Sequence, residues 1–410
     1  MQSTSITSYH KGLGLDDNFD NWNLLRENVS LPAAVLSAEN VEHNLSWMQK
    51  FIETYQVKLA PHGKTTMTPK LFHQQLSHGA WAITLATAHQ VQVAYSAGVR
   101  RVLLANQLVG KTNMTIIRQL LDDDPNFDFY CLIDSTTNVE QLGEFFADHR
   151  RLQVLLEIGV NNGRTGVRNE EEENKILEAL SKYSNSLALT GVELFEGVLK
   201  EEQSIRLMLQ QAVKCAQRLV DANQFARSPP ILSGAGSAWY DVVAEEFSKI
   251  RTLVDIVLRP GCYLSHDMGT YHQAQARILK ENSIAREISD RGALRPALQI
   301  WAYIQSIPET NRAIIAFGKR DAAFDSGFPS PALHYRSEWS QPIELDHNQY
   351  QITHMMDQHA FLTCPTDHQL RVGDIIAFNI SHPCLTFDKW RKILLVNKDY
   401  DVVDVLDTYF

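Results

Sequence analysis

Short apolar runs alternate with amphipathic stretches over the first two-thirds of the chain, and this constrains the fold more than any other feature. The runs lie at 33–36 (AAVL), 57–62 (VKLAPH), 81–86 (WAITLA), 101–106 (RVLLAN), 127–134 (FDFYCLID), 152–160 (LQVLLEIGV), 189–197 (LTGVELFEG), 229–234 (PPILSG) and 254–261 (VDIVLRPG). Between them come segments such as VEHNLSWMQKFIETY and EEQSIRLMLQQAVKCAQRLVDA, whose apolar residues recur three and four apart, as on the buried stripe of a helix. Mostly continuous apolar strands separated by helices belong to a parallel sheet, and eight such units close a barrel. Nine runs are one more than a barrel needs. The first follows a polar leader and is assigned to a second domain, which makes 57–62 barrel strand one.

Beyond about residue 285 the pattern changes. LQIWAYIQSI, RAIIAFG, YQITHMM, DIIAFNI and KILLVNKDYDVVDVL follow one another without long helices, punctuated by turn clusters such as DSGFPSP and CPTDH. The expected organisation is an N-terminal segment (1–36) packing with the β domain, a (β/α)8 barrel (37–285) and a C-terminal antiparallel β domain (286–410). A chain of 410 residues accommodates this plan.

Charge and composition exclude several partners. A net charge of −10 without a Lys/Arg-rich block argues against nucleic acid, which needs a basic surface to displace counterions. No apolar stretch approaches the roughly 18 residues of a membrane span, and MQSTSITSYHKGLG lacks the basic and apolar regions of a secretory signal. The five cysteines are scattered with no C-x-x-C pair, which fits the reduced thiols of a cytoplasmic protein.

Chemistry is expected at the C-terminal ends of the barrel strands. Lys64, in LAPHGKTTMTPK (59–70), falls at the end of strand one, and His62, two residues earlier on a strand, points to the same side. A lysine there can hold a phosphate, pair with a carboxylate, form a Schiff base, or be a solvated loop charge. Arg164 stands between glycines in NNGRTGV (161–167), after strand five. SGAGSAWYD (233–241) follows strand seven, and Ser233, Gly234, Gly236 and Ser237 there offer close backbone approach and hydroxyls to an anion at a helix start. The same stretch also reads as a tight turn that needs glycine. A lysine, an arginine and an anion nest on one rim point together to a phosphorylated aldehyde, pyridoxal phosphate. His73, His78 and His89, the acidic run 170–173, the tryptophans, and Cys131, Cys215 and Cys364 read as surface, helix-start or packing residues.

Pro61-His62-Gly63-Lys64-Thr65 resembles the proline-histidine-x-lysine-threonine segment of the fold-type III pyridoxal-phosphate enzymes related to D-serine dehydratase and D-threonine aldolase. The resemblance covers the chain from about residue 30 to the end. It implies an alanine racemase-like barrel, covalent attachment of the cofactor to Lys64, and a homodimer with sites near the interface. Gly163-Arg164-Thr165-Gly166 resembles that family's arginine loop facing the cofactor's phenolic oxygen, and Leu258-Arg259-Pro260-Gly261-Cys262-Tyr263 resembles the stretch near ring and phosphate, which assigns Arg259 and Tyr263 to the cofactor.

In SHPCLTFDKW (381–390), His382 and Cys384 are two positions apart, so an extended segment projects both to one side, where they can share a metal. The pair resembles the zinc-binding histidine-x-cysteine of the D-serine dehydratase branch. A thiolate with an imidazole suits Zn2+ better than Mn2+. The chain departs from the family at Gly63, usually alanine, at Gln358-His359-Ala360, usually glutamate-histidine-glycine, and in AFGKRDAAFD (316–325), which lacks a leading aspartate. The resemblance implies a lyase that uses pyridoxal phosphate and zinc to remove water and ammonia from a D-β-hydroxy amino acid, D-serine foremost, with Lys64 as the base at Cα. The alternatives are a metal-dependent D-threonine or 3-hydroxyaspartate aldolase, a hydroxyaspartate dehydratase, and a non-catalytic pyridoxal-phosphate protein.

Overall fold

The computed structural model describes residues 10–15, 19–147 and 152–410, so the first nine residues of the leader lie outside the described residues. Strand β1 (Ala33–Ser37) is followed by eight short parallel strands: β2 (Lys58–Leu59), β3 (Ile83–Leu85), β4 (Arg101–Gln107), β5 (Asp128–Ile133), β6 (Leu152–Ile158), β7 (Leu187–Leu194), β8 (Ile231–Gly234) and β9 (Asp255–Leu258). They pair in the order β2-β9-β8-β7-β6-β5-β4-β3. The remaining seam is closed by a parallel bridge between His62 and Thr84 and by two backbone bonds, Trp81 N–H to Leu59 O (2.6 Å) and Thr84 N–H to Pro61 O (2.9 Å). The expected alanine racemase-like barrel is therefore present.

Strand alternation divides the core in two. Leu59, Ile83, Val102, Phe129, Val154 and Leu232 face the surrounding helices and join the main core. Their neighbours Ala60, Ala82, Leu103, Tyr130, Leu155, Ile231 and Val257 form a separate cluster that plugs the barrel interior. Two residues further along, the inward positions turn polar: His62, Thr84, Glu157, Glu193, Ser233 and Arg259. The barrel is thus dry in the middle and polar at its C-terminal rim.

Strand β1 lies in the second sheet, antiparallel to β10 (Leu298–Glu309; Ala33 opposite Trp301) and parallel to β17 (Lys392–Val396; Val35 opposite Leu394). That ten-stranded sheet also contains β11 (Arg312–Ile315), β12 (Ser330–Tyr335), β13 (Ile343–Glu344), β14 (Gln351–Met355), β15 (Ala360–Thr363), β16 (Ile375–Asn379) and β18 (Val402–Asp407). Leu13, Trp22, Leu24 and Val29 pack with Trp301, Tyr335 and Leu394 of this sheet, which ties the described part of the leader to it. No helix among the described residues is long and apolar enough to cross a membrane.

Gly63 sits where space is already filled. A Cβ there would lie 2.6 Å from Ile83 Cγ2 and 2.8 Å from Phe72 Cε1, both fully buried side chains. Replacing it by the family's usual alanine therefore overpacks the segment that carries Lys64. Gly63→Ala should lose about 1–3 kcal/mol of stability, read as a lower midpoint in thermal or urea unfolding. An unchanged midpoint would show that the neighbours yield freely.

Candidate active site

A cavity of about 590 Å³ lies between the barrel rim and the C-terminal domain, walled by His62, Lys64 and Thr65 from one side and His382, Cys384, Leu385 and Asp388 from the other. β2 ends at Leu59, and after the His62 bridge the chain turns through a 3-10 turn, Gly63–Thr65, so His62 and Lys64 do not share a strand face. Both nevertheless border the cavity. Among the described residues the Lys64 amine has no hydrogen-bond or carboxylate partner. Burial, then the positive charges of Lys64, Arg259 and Arg164, hold His62 well below the usual histidine range, so its imidazole is neutral. Its Nδ1 is buried without a partner.

The other expected cofactor residues divide into wall and support. Gly236 and Ser237 border the cavity. Ser233 and Gly234 do not. Ser233 continues the inward row of β8, donating to Val257 O (3.1 Å) and accepting from Arg259 Nη1 (2.9 Å), while Gly234 packs against Val243 and Phe247. Arg259 is 1% exposed, ion-paired to Glu193, and bonded to Leu194 O (3.1 Å), with Nε left unpartnered. Burial raises the Glu193 carboxyl to about 7 despite that guanidinium. Tyr263, expected near the cofactor, instead lies in the main core behind the rim, its hydroxyl bonded to Gln75 Nε2 (3.2 Å). The tyrosine on the cavity wall is Tyr271, in the helix Thr270–Glu281.

Arg164 is exposed and stacks 4.8 Å from the centroid of Phe195, which itself borders the cavity. Its loop is held close by Gly166, at φ +90°, where a Cβ would meet Gly159 N at 2.5 Å, and by Thr165 Oγ1 donating to Glu157 Oε1 (2.6 Å). Only glycine fits that approach.

The expected anion nest is engaged by the protein itself. Glu196, fully buried, accepts from the backbone N–H groups of Ala235 (3.1 Å) and Gly236 (2.7 Å), with Ala235 at φ +79°. Ser237 Oγ accepts from the N–H groups of Gly261 (3.2 Å) and Cys262 (3.1 Å). The Glu196 carboxylate thus stands in for the oxygens of an anion, and the loop's geometry suits one. This stand-in, the unpartnered Lys64 amine and the orphaned Arg259 Nε and His62 Nδ1 together fit a phosphorylated aldehyde with a heteroaromatic ring.

The histidine-cysteine pair reaches the cavity by a different geometry from the one its spacing suggests. Pro383 is helical (φ −59°, ψ −50°) and Cys384 opens the single-turn helix Cys384–Phe387, so the segment bends rather than extends. Across the bend the Cys384 sulfur, and after it the Asp325 carboxylate, favour the charged imidazole and raise His382 to about 9. Hydrogen bonds with Cys262, His382 and Thr65 hold the Cys384 thiol well below its ordinary range despite burial. Asp325 Oδ2 lies 2.8 Å from His382 Nδ1, the kind of carboxylate support that fixes a ligating histidine's tautomer. Among the described residues no three His, Cys, Asp or Glu side chains cluster closely enough to hold an ion. The donor set is a two-residue one, one fewer than the three protein ligands usual for a catalytic zinc, so an ion there would keep the remaining positions for water or substrate.

Sequence reading missed Glu196, Tyr271, Asp325 and Asp388. Glu196 has no motif, and Asp388, though inside SHPCLTFDKW, is not marked there as a site residue. Asp325 lies 57 residues from its histidine. Gln358, His359 and Ala360, at the β14–β15 turn, are not on the cavity wall.

Residues 36–265 match the family model "Alanine racemase, N-terminal domain", and residues 297–396 match "Putative serine dehydratase domain". The chain belongs to the alanine racemase N-terminal domain family, the fold-type III pyridoxal-phosphate proteins. It is 24% identical over 324 residues to a D-threonine aldolase of Arthrobacter sp, spanning 75% of this chain and 77% of that protein. The crystal structure of D-threonine aldolase from Filomicrobium marinum shares the fold at 20% identity, with a TM-score of 0.75 over 93% of this chain and 95% of that one. D-threo-3-hydroxyaspartate dehydratase from Delftia sp. HT23 does so at 18% identity, with a TM-score of 0.71 over 94% and 99%. Solved forms of a D-threo-3-hydroxyaspartate dehydratase include one with a histidine replaced by alanine and one with a cysteine two positions later replaced, the latter metal-free.

Because the Glu196 carboxylate accepts from the N–H groups of Ala235 and Gly236, it would compete with a phosphate placed in this loop. Glu196→Gln removes the charge and should strengthen pyridoxal phosphate binding by roughly tenfold, about 1.4 kcal/mol, measured by fluorescence titration of cofactor-free protein. Weaker binding would show that Glu196 supports the nest instead.

Proposed function

We propose that this protein is a lyase using pyridoxal phosphate and zinc that removes water and ammonia from a small D-β-hydroxy amino acid, D-serine foremost, releasing the 2-oxo acid. One observation carries this reading: the Lys64 amine and the His382–Cys384 pair border the same cavity from opposite domains. Lys64 would hold the cofactor covalently, the 234–238 loop with the Ser237 hydroxyl would hold its phosphate, and Arg259 Nε would serve its ring. His382 and Cys384 would hold the metal, with Asp325 orienting the imidazole.

Pyridoxal phosphate, when bound, supplies an electron sink for the electrons left at Cα. Zinc, when bound, supplies Lewis acidity that makes a hydroxyl a better leaving group. Once free of the cofactor, the Lys64 Nζ takes the proton from Cα. The neutral His62 beside it adds no competing positive charge. Leu385, Phe195 and Phe410 line the cavity and reduce its water content.

Charge on the wall supports serine over hydroxyaspartate. Apart from Lys64 and His382, the charged groups on the described wall are the carboxylates Glu196 and Asp388. A substrate with a second carboxylate would meet like charge with no cation on the described wall beyond Lys64 and His382 to receive it. The relatives' names bring a second reaction, cleavage of the Cα–Cβ bond of a D-β-hydroxy amino acid by an aldolase.

Metal-replete protein incubated with D- and L-serine, D-threonine and D-threo-3-hydroxyaspartate distinguishes these readings through its products. Ammonia and a 2-oxo acid from the D-enantiomers are expected, with kcat/KM on hydroxyaspartate at least about tenfold below that on D-serine. Glycine with an aldehyde would mean an aldolase. No turnover of any substrate would mean a non-catalytic cofactor protein.

A further inference from the structure

We propose that Cys262 and Cys384 are a peroxide-sensitive thiol pair that closes to a disulfide between the barrel and the C-terminal domain. Their sulfurs lie 3.8 Å apart although the residues are 122 positions apart in sequence. A disulfide needs an S–S distance of about 2.05 Å, so the gap must close by roughly 1.7 Å, shared between two side chains. Thr65 holds both sulfurs in place, its Oγ1 lying 3.4 Å from Cys384 Sγ and 4.0 Å from Cys262 Sγ. The Cys262 backbone is pinned by its N–H bond to Ser237 Oγ (3.1 Å).

Access favours this pair over the other thiols. Both cysteines border the 590 Å³ cavity, through which a small oxidant reaches them. Cys262 is as buried as the other thiols, but Cys131 in β5, Cys215 in the helix Glu202–Asp221 and Cys364 just beyond β15 are not on the cavity wall.

The oxidant is a hydroperoxide. The Cys384 sulfur attacks its terminal oxygen, the O–O bond breaks, the alcohol or water leaves, and a sulfenic acid remains. The Cys262 sulfur then attacks the Cys384 sulfur, the S–O bond breaks, and water leaves with the Cys262 proton. Two thiols are oxidised and one peroxide is reduced, two electrons and two protons passing between them. The product ties the exit of β9 to the 381–390 segment and consumes the Cys384 thiol. A dithiol reverses the bond, so the pair spares Cys384 from deeper oxidation.

The test exposes purified protein with its bound cofactor to hydrogen peroxide, blocks remaining thiols by alkylation under denaturing conditions, and maps linkages by mass spectrometry. A peptide joining Cys262 to Cys384, two hydrogens lighter than its separate parts and released by dithiothreitol, is expected. In Cys262→Ser the link is absent and Cys384 proceeds to a sulfinic acid that dithiothreitol does not reverse. Cys262→Ala repeats this arm should the serine variant fold poorly, and the wild-type linkage map needs no variant. The proposal is overturned if both thiols of the wild type remain alkylatable, if Cys384 is found only as a sulfinic acid, or if the variants show the same dithiothreitol-reversible oxidation at Cys384.

Discussion

The seam between β2 and the segment entering β3 fixes the rest of the molecule. The first barrel strand is very short, yet three contacts close the barrel there: Trp81 N–H to Leu59 O, Thr84 N–H to Pro61 O, and the bridge between His62 and Thr84. Thr84 Oγ1 adds a bond to Ala60 O at 2.6 Å. This closure sets which residues of 58–62 point inward and ends the barrel pairing at His62. The next turn, locked by Phe72 and Ile83 around Gly63, delivers Lys64 to the rim. Parallel pairing around the other strands, with a register shift in the β6–β7 ladder, brings Glu157 opposite Glu193 and Glu193 opposite Ser233, next to Arg259 just past the end of β9.

Beneath the cavity, this polar ring is almost wholly buried. Arg259 and Glu193 are each 1% exposed, and Gln107 and Thr165 hydrogen-bond the two oxygens of Glu157. Breaking one member of such a buried pair leaves the other charge uncompensated. The ring is therefore a rigid base for the cavity, and adjustable chemistry sits above it, on Lys64, the Glu196-filled nest and the 381–390 segment. Two domains contribute to this upper layer, which makes their packing part of the site.

The barrel was legible because buried parallel strands leave continuous apolar runs, and the place of Lys64 at the rim was legible because it follows one of them. Gly236 and Ser237 were found through glycine content, and they do reach the cavity wall. Tyr263 illustrates the limit, since a motif carries spacing but not side-chain direction, and here Gln75 draws that hydroxyl behind the rim. The His382–Cys384 pair was found on an argument from extended backbone, whereas Pro383 bends the segment and a helical turn brings the two together. Glu196 and Asp325 were missed because their partners come from distant parts of the chain, and Asp388 because nothing in the 381–390 stretch marks it as facing the cavity. A simple extension of the inward parity by two residues would have found Glu157 and Glu193.

The central claim is a division of labour: Lys64 moves the proton at Cα, and the His382–Cys384 side assists loss of the hydroxyl. Proton NMR of D-serine in deuterated buffer, with ammonia measured alongside, tests it directly in cofactor-loaded Cys384→Ala and in chelated wild type. The account predicts that exchange of the Cα proton persists while ammonia release stops, and that Lys64→Ala loses both. Full ammonia release from rigorously metal-free protein, or unimpaired Cα exchange in Lys64→Ala, would contradict it.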